Sequence, residues 1–264
     1  MRFILALETV IGKRTLASGG TMIEQLSGQI VVVIGGSAGI GLETAHLARA
    51  EGADVILAGR DPERLKGAAA EVGAISVAAF DATDPAALDQ FFAGLPDQID
   101  HVLVTGPGPY YAPLADLDRE RAHHDFDAHL WLAVAVTQYA VGRVRPGGTL
   151  LFMGGTGGRK RGPGLSLIAA GSAALPALIA NLAVEAAPIR VNLIAAGFVD
   201  TPLSASLLGD ALEDRRDQLR AGLPIRRVVG PADIAALAVH LMINTALTGA
   251  TYDIDGGQQL ITGL

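Results

Sequence analysis

"VVVIGGSAGIGLETA", Val31–Ala45, decides how the rest of the chain is read. Val31–Ile34 is an unbroken β-branched run of the kind that makes a strand buried on both faces. A helical pattern follows over Gly39–Glu51, and a glycine-rich turn joins the two. Gly35 permits the tight turn, Gly39 lets the backbone approach a phosphate, and Gly41 lets helix and strand pack closely. Ser37, Ala38 and Ile40 complete the loop, where the free N–H groups of the helix start would face a pyrophosphate. A glycine turn that holds nothing is the alternative. The strand before it, the helix after it and a further αβ unit downstream favour the phosphate.

Outward from this loop the pattern alternates. Strands are predicted at Ile30–Ile34, Val55–Ala58, Ile75–Phe80, Val102–Val104, Thr149–Met153, Arg190–Ile194 and Thr251–Ile254. Between them lie helical stretches, including a long one over about Arg119–Val144 and an apolar one from Leu165. Apolar strands separated by helices imply an α/β fold, a doubly wound parallel sheet covered on both faces. The 264 residues suit one such domain, expected over 25–264. Residues 1–24 are expected to be an N-terminal extension, either mobile or the product of an upstream start at Met1 rather than Met22. The five-residue apolar run Phe3–Leu7 is too short for a signal peptide.

Composition narrows the function. A net charge of −7 argues against nucleic acid, which a basic face would bind. The chain has no Cys, which excludes disulfides and thiolate metal sites. Gly162–Val184 carries no charge and is long enough for a membrane span. Its Pro176, Asn181 and several glycines, and its place between two strands, favour a helix buried in protein. No membrane association is expected, and the protein is expected in the cytoplasm.

The second predicted strand ends at Gly59, where a carboxylate would hold a ribose 2′-hydroxyl. Arg60 follows instead and suits a 2′-phosphate, so NADP(H) is favoured over NAD(H). Asp61 could take the acidic role, but "DPE" reads as a helix start that Asp61 caps.

Several motifs in order resemble those of the short-chain dehydrogenase/reductase family. "GGSAGIG" (Gly35–Gly41) is similar to its glycine loop, with Ile34 before it where that family has Thr. "FDATD" (Phe80–Asp84) resembles its adenine-contacting turn. "IRVNLIAAGFVDTPL" (Ile189–Leu203), "PIRRVVGPADIAALAVHLM" (Pro224–Met242) and "TGATYDIDGG" (Thr248–Gly257) resemble its later motifs. The resemblance implies a Rossmann-type sheet of seven strands ordered 3-2-1-4-5-6-7. It implies that Asp81, Ala82 and Gly106 hold the nucleotide and that Val199 and Thr201 sit by the nicotinamide carboxamide. It also implies an oxidoreductase acting on a small molecule, assembled as a homodimer or homotetramer.

Chemistry in that family uses a Tyr as proton donor, a Lys four residues later that lowers the Tyr pKa, a Ser that holds the substrate oxygen, and an Asn on the long helix. Counting back from "NLAVE" (Asn181–Glu185) puts Ser172 in the Lys slot, Ile168 in the Tyr slot and Gly155 in the Ser slot. His129 falls in the Asn slot. "TGPG" (Thr105–Gly108) replaces the family's NNAG turn. Small shifts of register do not help, because no Tyr occurs between Tyr139 and Tyr252 and no Lys but Lys160 follows Lys66.

Substitutes are few. Tyr110 and Tyr111 follow the fourth strand, but a Tyr without a nearby cation is a poor acid at neutral pH; packing over the cleft mouth is the alternative. His129 has a side chain suited to proton transfer, or is a core histidine of an apolar helix. Thr156 could stand in for the Ser hydroxyl. Arg159, Lys160 and Arg161 form either a solvated loop or a greeting for an anion. Asp125 and His129, one helical turn apart, lack further ligands, so no metal is expected. Two functions remain open: an NADP(H)-dependent oxidoreductase with a non-standard active site, or a catalytically inactive protein that holds NADP(H) for structure, sensing or partner assembly.

Overall fold

The computed structural model describes residues 25–106, 108–159 and 161–261, so the expected N-terminal extension lies outside it, as does Lys160. The strands are β1 (Ile30–Ile34), β2 (Asp54–Gly59), β3 (Ser76–Ala79), β4 (Ile99–Val104), β5 (Val144–Gly155), β6 (Arg190–Ala196) and β7 (Thr251–Ile254). All pair in parallel in one sheet ordered 3-2-1-4-5-6-7. This is the Rossmann-type order that the resemblance implies.

Each central strand feeds two cores because side chains alternate across the sheet. Val32, Ile34, Ile56 and Ala58 join the layer of α3 (Pro85–Ala93), α5 (Leu132–Ala140) and α6 (Ser166–Glu185). Val31, Val33, Val55 and Leu57 join that of α1 (Gly39–Ala50), α2 (Pro62–Val72) and α9 (Pro231–Ile243). Burial on both faces is why β1 reads as a continuous apolar run.

The expected single helix over Arg119–Val144 is corrected. The structure divides it into α4 (Arg119–Phe126), a π-helical turn at Asp127–Trp131 and α5, which ends at Ala140. Gly142 then turns the chain with φ +90, and Val144 already belongs to β5, opposite Ile99. The expected helix near Ser204–Ala221 is likewise two, α7 (Pro202–Leu208) and α8 (Leu212–Gly222), parted by Gly209 with φ +51. α6 runs through Pro176 without ending. It is apolar and long enough to cross a membrane, yet Leu175, Ile179, Leu182 and Ala183 pack it into the layer over β5 and β6.

Candidate active site

β1 and β4 are neighbours in space but their outgoing chains turn to opposite faces. Ligands bind at such a switch point, beyond the carboxyl ends of the strands. The glycine loop sits there. Gly35 has φ +92, and a Cβ on it would lie 2.0 Å from Thr105 Oγ1. A Cβ on Gly41 would lie 2.2 Å from the Gly35 carbonyl oxygen, so the first turn of α1 can close on β1 only with glycine.

The start of α1 differs from those of α2, α3, α4 and α7. Asp61, Asp84, Asp118 and Thr201 each cap their helix by accepting main-chain N–H bonds. Ala38 gives α1 no side-chain cap, and its first turn holds no acid. The N–H groups and the positive end of the helix dipole are left for an external anion. The loop residues therefore fit a dinucleotide diphosphate. Asp61 accepts from Glu63 N and Arg64 N, so its carboxylate is engaged as a cap. Arg60 is exposed beside it at the tip of β2. Asp81 accepts from the Thr83 main-chain N–H and hydroxyl; the first bond does most to hold its carboxyl below the usual range, and the Arg60 charge adds to it. Ala82 follows in the same turn.

From the glycine loop a cleft of about 570 Å³ opens toward α6. The tips of β4, β5 and β6 form its floor through Thr105, Gly155 and Ala196. Ile40, Val199 and Thr201 line the end near α1, where Gly39 and Thr201 face each other. Ile168 and Ser172 line the α6 wall one turn apart, and Thr156 adds a buried hydroxyl-bearing side chain. The lining is dominated by apolar side chains, Leu165, Leu167, Leu203 and Leu207 among them.

Opposite α6 stands a polar group. Asp125 and His129 both line the cleft, on either side of the junction between α4 and the π-helical turn. His129 Nδ1 lies 2.7 Å from the Asp125 carbonyl oxygen, and 3.6 Å from Asp125 Oδ1. A carbonyl only accepts, so Nδ1–H donates and Nε2 is the ring nitrogen left for a substrate. Asp125 is itself buried and fixed, since its Oδ1 accepts the Tyr110 main-chain N–H at 3.1 Å. The extra residue in a π turn re-aims side chains, and such turns recur at functional sites.

The two tyrosines part company. Tyr110 is buried away from the cleft lining, with its ring under the Arg121 guanidinium and its hydroxyl oxygen accepting the Asp118 N–H at 3.0 Å. Tyr111 reaches the cleft mouth; burial around its hydroxyl, and then the Asp125 charge, push its pKa up, which makes it a weaker acid. Gly106, with φ +72, carries the chain from β4 into this loop. Arg159 is paired with Asp253 and is not free for an anion. No cluster of three metal-ligating side chains occurs among the described residues.

Sequence reading missed Asp125 as the partner of His129, although their spacing was visible, because the bond that fixes it comes from Tyr110 in another segment. It also missed Arg215 of α8, which lines the cleft.

The family model described as enoyl-(acyl carrier protein) reductase matches residues 35–259. The short-chain dehydrogenase/reductase malC of Malbranchea aurantiaca is 27% identical over 256 residues, covering 89% of this chain and 96% of its own. The solved structure of that MalC reductase/Diels-Alderase superposes with a TM-score of 0.83 over 90% of this chain and 99% of its own. An NADP-dependent (R)-specific alcohol dehydrogenase of Lentilactobacillus kefiri is 28% identical over 257 residues, covering 89% of this chain and 98% of its own. A small-chain dehydrogenase solved in complex with NADPH is 27% identical, with a TM-score of 0.75, covering 88% of this chain and 99% of its own. Sheet order, glycine loop and these matches agree: the chain belongs to the short-chain dehydrogenase/reductase family, a family of oxidoreductases.

Proposed function

We propose that this protein is an NADP(H)-dependent oxidoreductase with a non-standard active site, in which His129 rather than a tyrosine handles the proton. The observation that carries this is the Asp125–His129 pair lining the same cleft as Gly155, Ile168 and Ser172. Bound NADPH would supply a hydride. When a carbonyl carbon accepts hydride, its π electrons move to oxygen, which needs a proton. Ile168 and Gly155 carry none, and the Ser172 hydroxyl is a weak acid. Protonated His129 can give its Nε2 proton to that oxygen while Nδ1 stays bonded to Asp125, and solvent at the open mouth restores it. The apolar walls hold the carbon skeleton and keep water from the reacting face.

For the cofactor, the exposed Arg60 at the β2 tip, with Asp61 engaged as a cap, supports preference for NADP(H) over NAD(H). The similar proteins that use NADP or hold NADPH support the same reading. The substrate is a small molecule, in a cytoplasmic protein that binds neither nucleic acid nor membrane. A homodimer or homotetramer is supported by α6, whose outer face is free of charge up to Glu185 and leaves Val184 exposed.

A second reading has its own support. Gly155, Ile168 and Ser172 leave the cleft without a strong acid beside the nicotinamide end, as a catalytically inactive NADP(H)-binding protein would. One experiment separates the two. NADPH binding is titrated by fluorescence, and NADPH absorbance is followed against a panel of ketones, aldehydes and enones. Turnover that falls about 10²-fold in His129→Gln, with NADPH affinity unchanged, supports the enzyme. Tight NADPH binding without turnover on any substrate supports the inactive protein. Failure to bind either nucleotide overturns both.

A further inference from the structure

The cleft contains a cation, Arg215, that no acid among the described residues neutralises. Helix α8 carries "LEDRRDQLRAG", Leu212–Gly222, with three arginines. Arg216 pairs with Asp200 and Glu213, and Arg220 pairs with Asp217. Each has an acid three residues earlier, the usual helical spacing for an ion pair. Arg215 has Ala211 and Leu212 before it at that spacing, and Gln218 and Leu219 after it. Leu219 is fully buried, so Arg215 stands on the inward face of α8 rather than among its acids. Its one side-chain partner among the described residues is Gln218 Oε1, at 3.4 Å. Burial lowers the pKa of its guanidinium, and no acid contributes an offsetting effect.

A half-buried guanidinium on an apolar wall is costly unless an anion completes it. In a chain of net charge −7, carboxylates are plentiful, yet among the described residues none pairs with Arg215. The rest of the lining says what the anion belongs to. Leu203, Leu207 and Leu208 of α7 line the cleft with Arg215, as do Leu165, Leu167 and Ile168. Arg215 is the only Arg or Lys among the described residues that line the cleft.

We propose that Arg215 is the anion-recognition point of the substrate site, and that the cleft takes an apolar molecule carrying one anionic group, a carboxylate above all. The guanidinium fork suits a carboxylate by two parallel hydrogen bonds. The apolar body then lies along the leucine walls, with its reacting end toward Gly155 and His129. The inference rests on the proposed function for its reacting end, but the anion site itself is tested without turnover.

The probes are 1-anilinonaphthalene-8-sulfonate and N-phenyl-1-naphthylamine, which share one apolar skeleton and differ by the anionic group. Both are titrated by fluorescence into the NADP⁺-saturated full chain. Arg215→Gln is expected to weaken the sulfonate about tenfold and leave the neutral probe unchanged. Arg215→Lys, which keeps the charge but not the fork, should recover part of the loss. Gly171→Leu, at a cleft-lining position with open space around its absent Cβ, should weaken both probes by filling the cavity. Equal loss of both probes in Arg215→Gln would show mere packing and overturn the proposal. So would sulfonate binding that ignores Gly171→Leu, or an NADP⁺ affinity that falls tenfold with Arg215→Gln, which would assign the guanidinium to the cofactor. A chain that reduces nothing can still pass this test, and one that fails it can still be a reductase of neutral substrates.

Discussion

At the scale of single residues, the nucleotide end turns on which of two adjacent side chains is free. Asp61 spends its carboxylate on the Glu63 and Arg64 N–H groups, while Arg60 stays exposed next to the turn that holds Asp81. A 2′-phosphate placed there would gain a charge-assisted bond that a 2′-hydroxyl cannot make. Arg60→Ala is therefore expected to weaken NADPH binding about tenfold and leave NADH binding unchanged in fluorescence titrations. Equal losses for both nucleotides would refute the 2′-phosphate role. The Asp61 cap was legible in the sequence because Asp61, Glu63 and Arg64 lie within three residues of one another. The role of Tyr110 was not, since its hydroxyl is taken up by the Asp118 N–H, a contact that local pattern does not reveal.

At the scale of elements, the strands and helices that carry strong periodicity were legible, and their ends were less so. β5 begins at Val144, where the sequence pattern ends a helix, because Val144 pairs with Ile99 across a register shift between β4 and β5. The π turn at Asp127–Trp131 had no sequence signal, yet it sets where His129 stands. α6 is the opposite case: its register, counted from Asn181, put Ile168 and Ser172 on one face, and both line the cleft. That geometry makes a gain of function testable. A side chain at Gly155 meets nothing closer than the Ala196 carbonyl oxygen at 3.7 Å, so a serine fits. A second cavity of about 240 Å³ borders Ser172 and leaves room for a longer side chain. The triple change Gly155→Ser, Ile168→Tyr and Ser172→Lys is expected to raise NADPH-dependent reduction of a simple ketone about 10²-fold over the parent. A folded triple variant with an unchanged rate would show that the α6 wall no longer presents those positions to the nicotinamide.

At the scale of the whole molecule, the same sheet that builds the cleft buries a titratable group at its other end. His101 lies in β4 between Val31 of β1 and Thr149 of β5, only 3% exposed. Its Nε2 is 2.7 Å from Gln29 Oε1, an acceptor, so Nε2–H donates. Nδ1 has no partner among the described residues. "IDHVLV" reads simply as a strand, and the partner that fixes the ring is 72 positions away, so its burial was not legible. Burial first, and then the Arg190 charge, lower its pKa from 6.5 to about 3. Between those values the unfolded chain binds a proton that the native chain refuses, so stability falls as pH drops below 6.5 and levels off near 3. The loss reaches about 2 kcal/mol by pH 5, above the range where Asp81, Asp233 and Asp253, all held low in the native state, begin to contribute. Urea unfolding at pH 7 and pH 5 reads this directly. The wild-type midpoint should drop between the two, and His101→Leu, which removes the proton without adding a buried charge, should flatten the difference while the denaturant slope stays constant. A variant that loses as much stability as the wild type across this window would place the acid sensitivity of the fold elsewhere.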